Sequence, residues 1–468
     1  MKQPLNTRAA SISTAEKALQ FNLDPLHYGT IAEIGAGQEV ARQFFQAGGA
    51  SGTIAKTTSA YDMRFSDAIY GPDDTGRYVT RERLQRMLER EFRLVVERVS
   101  DTRDPKSRFF AFADTVSAKQ YGADSEDHGW MGIRFQHEAG AEPSQIVLHA
   151  RMCDSSNAGQ QAALGILGVN LIHSTFGYLD NWQELVDSLV ENLTWGRIEI
   201  DYIRFEGPGF EGVDNQDMTL RLVRSSLGPV VMFGTDGNGA LPADMMYQRI
   251  PLVLRGKFRP FTNVHADMIE CGIAGLAAEL DIDRDRIVLL CEMNIARYLY
   301  EGEDDVSDLQ ARVQMIVALG YNVMVTSHLR YFRLADYFLR HRQKRSAFVL
   351  SVHNLHTVFD DKYYEGLDGG MLQAIAQLFA SDAQLLAYPN LTPEGHIYSV
   401  DNITIPDEHK YLYRHLLHNR RILPLEPDSK GLVPFQPEAL GAQIAQGDER
   451  WWSAVPELVR DRIGELTL

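Results

Sequence analysis

From Ile250 onward, short apolar runs alternate with helical stripes along the chain. The runs Leu252 to Leu254, Arg286 to Cys291, Tyr321 to Val325, Ala347 to Val352 and Gln384 to Ala387 are the length of buried parallel strands. Between them, Ala266, Met268, Ile269 and Ile273 return at helical spacing, as do Leu309, Val313, Ile316, Val317 and Leu319, then Tyr331, Leu334, Ala335 and Phe338, and a further helix is expected over 370–379. Strict alternation of strand and helix predicts a doubly wound parallel sheet, with ligands at the carboxyl ends of its strands.

The pattern before Ile250 is less regular. A strand over Thr30 to Ile34 runs into Gly35, Ala36 and Gly37 and a helix from Gln38 to Phe45, and Lys56, Thr57, Thr58 and Ser59 read as a polar loop. Leu84, Met87, Leu88, Phe92 and Val95 mark an amphipathic helix. Strands are expected at 108–113, 130–136, 145–150, 197–205 and 229–233, with helices at 160–174 and 182–193. The expected fold class is α/β: a mixed α/β or α+β domain over 1–249, a doubly wound, Rossmann-like domain over 250–410, and a helical tail over 411–468 that carries Trp451 and Trp452.

Composition narrows the function classes. At 468 residues the chain exceeds one ordinary core, and its hydrophobic fraction of 44% and charged fraction of 23% suit a folded protein. Its 46 basic and 63 acidic residues give a formal charge of −17, which disfavours nucleic acid and anionic membrane as partners. Three cysteines, Cys153, Cys271 and Cys291, lack paired or metal-ligand spacing, and no long apolar run is present, so a cytoplasmic location is expected.

Candidate chemistry concentrates between Gly256 and Asp267. Asn263 is a good N-cap for a helix beginning near His265, and free amides at such a start suit a phosphate. A histidine placed there would donate to a phosphoryl oxygen as charge develops. Gly256, Phe258, Pro260, Thr262, Asn263, His265 and Asp267 resemble the G-x-F-x-P-x-[HT]-x-x-H signature of the nucleotidylyltransferase superfamily; the Phe-x-Pro-x-Thr-Asn-x-His-x-Asp form is most similar to phosphopantetheine adenylyltransferase, whereas nicotinate-nucleotide adenylyltransferase carries a histidine where this chain has Thr262. Ser307 to Val313 is similar to the Ser-x-x-x-x-Arg-Val helix start of that superfamily.

The resemblance covers about residues 250–390 and implies transfer of AMP from ATP, with Mg²⁺, to a phosphate-bearing acceptor such as nicotinate mononucleotide, with release of pyrophosphate. It implies His265, Thr262 and Lys257 as catalytic residues and Gly256, Phe258, Arg259, Asn263 and Asn294 as nucleotide or acceptor contacts, with no protein metal ligand and a possible homo-oligomer. Val264 stands where the superfamily has glycine, and no late Ser-Ser-x-x-Arg segment follows Asn390. A second reading is therefore a nucleotide-binding or assembly module without turnover, with a separate activity in the first domain. For that activity the pointers are Gly35, Gly37 and Asp114, then His128 with Asp127, Arg151 with Asp154, and Asp236. A zinc site built on His128, His137 and His149 has no supporting spacing.

Overall fold

The computed structural model describes residues 12–35, 37–72, 76–117, 127–296, 306–391, 395–427, 440, 443–444, 446 and 449–465. The chain divides into two compact units, Met1–Val231 and Met232–Leu468. Among the described residues no helix is long and apolar enough to cross a membrane.

The first unit runs α1 (Thr14–Asn22), β1 (His27–Gly35), α2 (Val40–Ala47), β2 (Ile54–Ala60), α3 (Met63–Tyr70), α4 (Arg81–Val99), β3 (Arg108–Val116), β4 (His128–Phe135), β5 (Ser144–Met152), α5 (Asn157–Gly177), α6 (Trp182–Ser188), β6 (Ile198–Glu206) and α7 (Asn215–Arg224). Its six strands lie in the order β2-β1-β3-β4-β5-β6. The first three are parallel, and the remaining pairings are antiparallel. Helix α4 covers one face through Leu84 and Leu88, which press on Gly132. On the other face Phe21 of α1 meets Phe110 edge-on at 5.3 Å, and Val40 of α2 reaches the backbone of α5 at Gly168. Lys56 to Ser59, expected as a loop, instead belong to β2, an edge strand whose outward residues are solvated. An edge strand pairs on one side only and does not need an apolar run.

The second sheet comprises β7 (Val230–Phe233), β8 (Gly239–Ala240), β9 (Ile250–Arg255), β10 (Ile287–Asn294), β11 (Asn322–Thr326), β12 (Arg345–Ser351), β13 (Asp382–Tyr388) and, after the small hairpin β14 (Asn390–Leu391) and β15 (Ile397–Tyr398), β16 (Ile422–Pro424). Its order is β16-β13-β12-β9-β10-β11-β7-β8. The five pairings from β16 to β11 are all parallel. Taken in chain order from β9, these strands follow the 3-2-1-4-5-6 arrangement of a doubly wound sheet, as the alternation predicts. The long helices between them are α9 (Asn263–Leu280), α10 (Val306–Ala318), α11 (Tyr331–Arg340) and α13 (Gly370–Leu378); α8 (Pro242–Met245), α12 (Val352–Val358), α14 (Lys410–His418) and α15 (Glu457–Arg460) complete the unit. The acidic stretch Glu301 to Asp305 lies outside the described residues.

Candidate functional site

β9 is the central strand, with β10 on one side and β12 on the other. Connections leave it in opposite directions, the arrangement that in doubly wound sheets places ligands beyond the carboxyl end of the central strand. The loop leaving β9 begins at Gly256, whose amide donates to the Glu292 carbonyl at 3.0 Å. A Cβ at 256 would stand 2.8 Å from the Phe258 ring, so the loop requires glycine there. The Phe258 ring is buried, stacks on Phe261 at 5.7 Å and meets His265 edge-on at 5.1 Å.

Helix α9 starts at Asn263, and its N-cap is Thr262 rather than Asn263. The Thr262 hydroxyl accepts from the His265 amide at 3.4 Å, and His265 Nδ1 accepts from the Thr262 amide at 3.0 Å, a reciprocal cap. Burial lowers the His265 pKa to about 4, so the ring is neutral in ordinary solution. With Nδ1 accepting a backbone N–H, the ring proton belongs on Nε2. The result is a neutral hydrogen-bond donor at the start of a helix, where the dipole favours an anion.

Two buried ion pairs brace this loop. Arg255, at the end of β9, donates through Nε to Glu292 at 2.5 Å and through both terminal nitrogens to the carbonyls of Leu329 and His328 at 2.9 and 2.8 Å. Glu292 also accepts from the Thr326 hydroxyl at 2.5 Å, which joins the ends of β9, β10 and β11. The second bridge centres on the fully buried Asp308, whose Oδ2 meets Arg259 at 2.5 Å and Arg312 at 2.8 Å. Arg312 in turn donates to the Lys257 carbonyl at 3.0 Å. The two sequence motifs, about 50 residues apart, thus meet through Asp308, and charge-assisted bonds of this kind fix geometry as well as adding energy.

Several expected roles change with the side-chain placement. Lys257 is exposed beside the loop, while Arg259 is held by Asp308. Asn263 is exposed and donates to the Ser453 carbonyl at 3.0 Å, so the C-terminal segment after the buried Trp451 packs against the start of α9. Asn294 donates to the Thr326 hydroxyl at 3.4 Å and to the His328 carbonyl, and it accepts from the Ala296 amide; these bonds hold a strand end together. Val264 is only 8% exposed, so it is part of the packed interior at the start of α9 rather than a surface side chain. Asp267, one turn into α9, accepts from Tyr388 Oη at 2.5 Å and ties α9 to the end of β13.

Among the first unit's candidates, His128 and His149 do pair, Nδ1 to Nε2 at 2.9 Å, and His149 continues to Asp201 at 2.6 Å. His137 does not join them and instead packs beside Gly209. Asp154 is bridged by Arg197 at 2.7 Å, and Asp236 accepts within its own turn from Asn238 at 3.0 Å. Among the described residues, the group with metal-ligand proximity is the solvent-facing set Asp361, Glu408 and His409, which sequence spacing did not suggest.

No family model and no curated protein matches the sequence. Solved structures that overlap part of the chain include a competence-damaged protein (CinA) superfamily member from Klebsiella pneumoniae, 10% identical, covering 36% of this chain and 99% of that one at a TM-score of 0.26. A CinA superfamily protein from Enterobacter cloacae is 14% identical over 38% of this chain and 99% of its own, with a TM-score of 0.26. The competence/damage inducible protein CihA from Agrobacterium tumefaciens is 16% identical over 35% and 93%, with a TM-score of 0.24. None of the three is described as a nucleotidylyltransferase, and likenesses this slight carry no functional argument.

Proposed function

We propose that residues 250–391 bind ATP and transfer its adenylyl group to a phosphate-bearing acceptor such as nicotinate mononucleotide. The observation that carries this reading is His265: a neutral ring whose proton is directed to Nε2, at the first turn of the helix that leaves the central strand of a doubly wound sheet. In the reaction an acceptor phosphate oxygen forms a bond to the α-phosphorus, the bond from that phosphorus to the α,β-bridging oxygen breaks, and pyrophosphate leaves with the electron pair. Most of the rate comes from positioning and from donors that meet the developing charge. His265 Nε2–H and the first amides of α9 serve as those donors, Thr262 fixes the ring, and exposed Lys257 offsets polyphosphate charge.

Mg²⁺ fits this site as a partner of the triphosphate rather than of a protein cage. The nearby carboxylates Glu292, Asp308 and Asp267 are bonded to Arg255, to Arg259 with Arg312, and to Tyr388. Mg²⁺ commonly keeps waters and phosphate oxygens as its ligands, and when bound it would neutralise charge on the departing pyrophosphate.

The test is pyrophosphate release from ATP with nicotinate mononucleotide as acceptor, in the full chain and in His265→Ala. Loss of one such donor lowers the rate by ~10²-fold. The commitment of Arg259 to Asp308 favours a second reading, binding without turnover. Tight ATP binding with no pyrophosphate release for any acceptor tried would select it.

A further inference from the structure

Glu33 and Asp114 are register partners at the carboxyl ends of the parallel strands β1 and β3. The chain leaves β1 for β2 through α2 and reaches β3, on the other side of β1, through α4, so the first sheet also changes direction at this point. Glu33 is 3% exposed, and its carboxylate accepts from the amides of Val40 at 2.9 Å and Ala41 at 3.2 Å, the opening residues of α2. Asp114 is fully buried, and among the described residues neither of its oxygens has a hydrogen-bond partner of normal geometry. Gly37 closes over it so tightly that a Cβ there would lie 2.4 Å from Oδ1.

A carboxylate buried in this way is not tolerated as an unpaired charge. Burial, and then the neighbouring Glu33 charge, push Asp114 well above the usual carboxylate range. Burial also pushes Glu33 up to about 7 against the pull of the α2 amides, and Glu39 adds a little repulsion. Burial and charge repulsion both favour protonated Asp114, and Glu33, which the α2 amides pull the other way, is the member of the pair more ready to ionise.

Glu33 opens onto a cavity of about 430 Å³ between α2 and β2. The cavity is lined by Gln38, Gln46, Thr57, Thr58 and Ser59, with Arg42 and the half-exposed ring of Phe45 beside them. Arg42 is paired with Glu39 at 2.9 Å, so the lining presents hydroxyls and amides that both donate and accept, with an aromatic face at the rim. Groups of that kind complement hydroxyls, which also do both.

We propose that this cavity is a second ligand site, specific for a small uncharged polyol, in which Glu33 accepts a hydrogen bond from a ligand hydroxyl. The site is independent of the proposed nucleotide site and of the reading given for it. The charged and titratable groups facing Glu33 are Asp114 from β3, Glu39 from the turn and Arg42 from α2, while α5 presents Gly165 to this turn. Only ionised Glu33 is purely an acceptor, so binding strengthens as pH rises through the titration of Glu33.

The test uses the full chain and D-sorbitol as probe, followed by ligand-observed NMR titration at pH 6 and pH 8. The dissociation constant is expected to fall roughly tenfold from pH 6 to pH 8, the change in ionised fraction of a group titrating near 7. Glu33→Gln is expected to abolish that pH dependence. Ser59→Ala, which removes the hydroxyl directly across from Glu33 on β2 and leaves the cap of α2 intact, is expected to weaken binding several-fold. No transfer of saturation to sorbitol at either pH would overturn the proposal, as would binding indifferent to Ser59→Ala or a pH dependence that survives Glu33→Gln.

Discussion

Asp308→Ala is the sharpest perturbation of the loop between β9 and α9. In the native protein this fully buried carboxylate neutralises Arg312, itself 2% exposed, and Arg259 in the loop before α9. Alanine would leave the Arg312 guanidinium sealed in the protein without the carboxylate that neutralises it, although it keeps its bond to the Lys257 carbonyl at 3.0 Å. Removing one member of a buried ion pair costs ~3–5 kcal/mol, and in a unit of this size each kcal/mol moves the melting temperature by ~2–4 °C, so the expected fall is roughly 6–20 °C. Differential scanning calorimetry of the full chain measures it, with the transition of the second unit as the one that moves. Arg284→Ala, which breaks the solvent-exposed pair with Glu270, is the control and should leave the transition in place. A shift of less than ~2 °C in Asp308→Ala would show that Asp308 does not hold the loop and would refute the bracing described for it.

Three further outcomes follow from the same geometry. Gly256→Ala forces a methyl against the Phe258 ring at 2.8 Å and should destabilise the second unit by ~1–3 kcal/mol in denaturant unfolding, the usual cost of overpacking. His265 titrates near 4 when folded and near 6.5 when unfolded, so the stability it contributes is present above pH 6.5 and is lost as pH falls toward 4; pyrophosphate release should accordingly show no step near pH 6.5 that His265→Gln removes. Glu33 has the opposite sign, since its raised value means the folded state binds the proton more tightly; the first unit should lose up to ~3 kcal/mol between about pH 4.5 and pH 7 in wild-type chain, and Glu33→Gln should flatten that slope in urea titrations across pH.

The parallel sheet of the second unit was legible because strands buried on both faces are apolar throughout and are separated by helices with clear stripes. The loop between Gly256 and His265 was legible for the same reason, with strand, turn residues and helix start adjacent in the chain. The cap was misassigned because Thr262 and Asn263 are both good N-caps, and the choice is made by the extended backbone of Thr262 and its exchange of bonds with His265. β2 was hidden because an edge strand of lysine, threonine and serine has the composition of a loop. The bridges from Arg255 to Glu292 and from Arg259 to Asp308 join residues 37 and 49 positions apart, and local pattern does not report such pairings. Sequence reading singled out Asp114 and Gly37 separately; that the one closes over the other becomes visible only when β1 and β3 are side by side.

Calorimetric titration of the full chain with Mg²⁺ and ATP, repeated on His265→Ala, tests the central claim most directly. The account predicts micromolar binding to the wild-type protein, weakened at least tenfold in the variant, a loss of ~1.4 kcal/mol or more. ATP binding of equal strength in both proteins, or none to the wild-type chain, would contradict it.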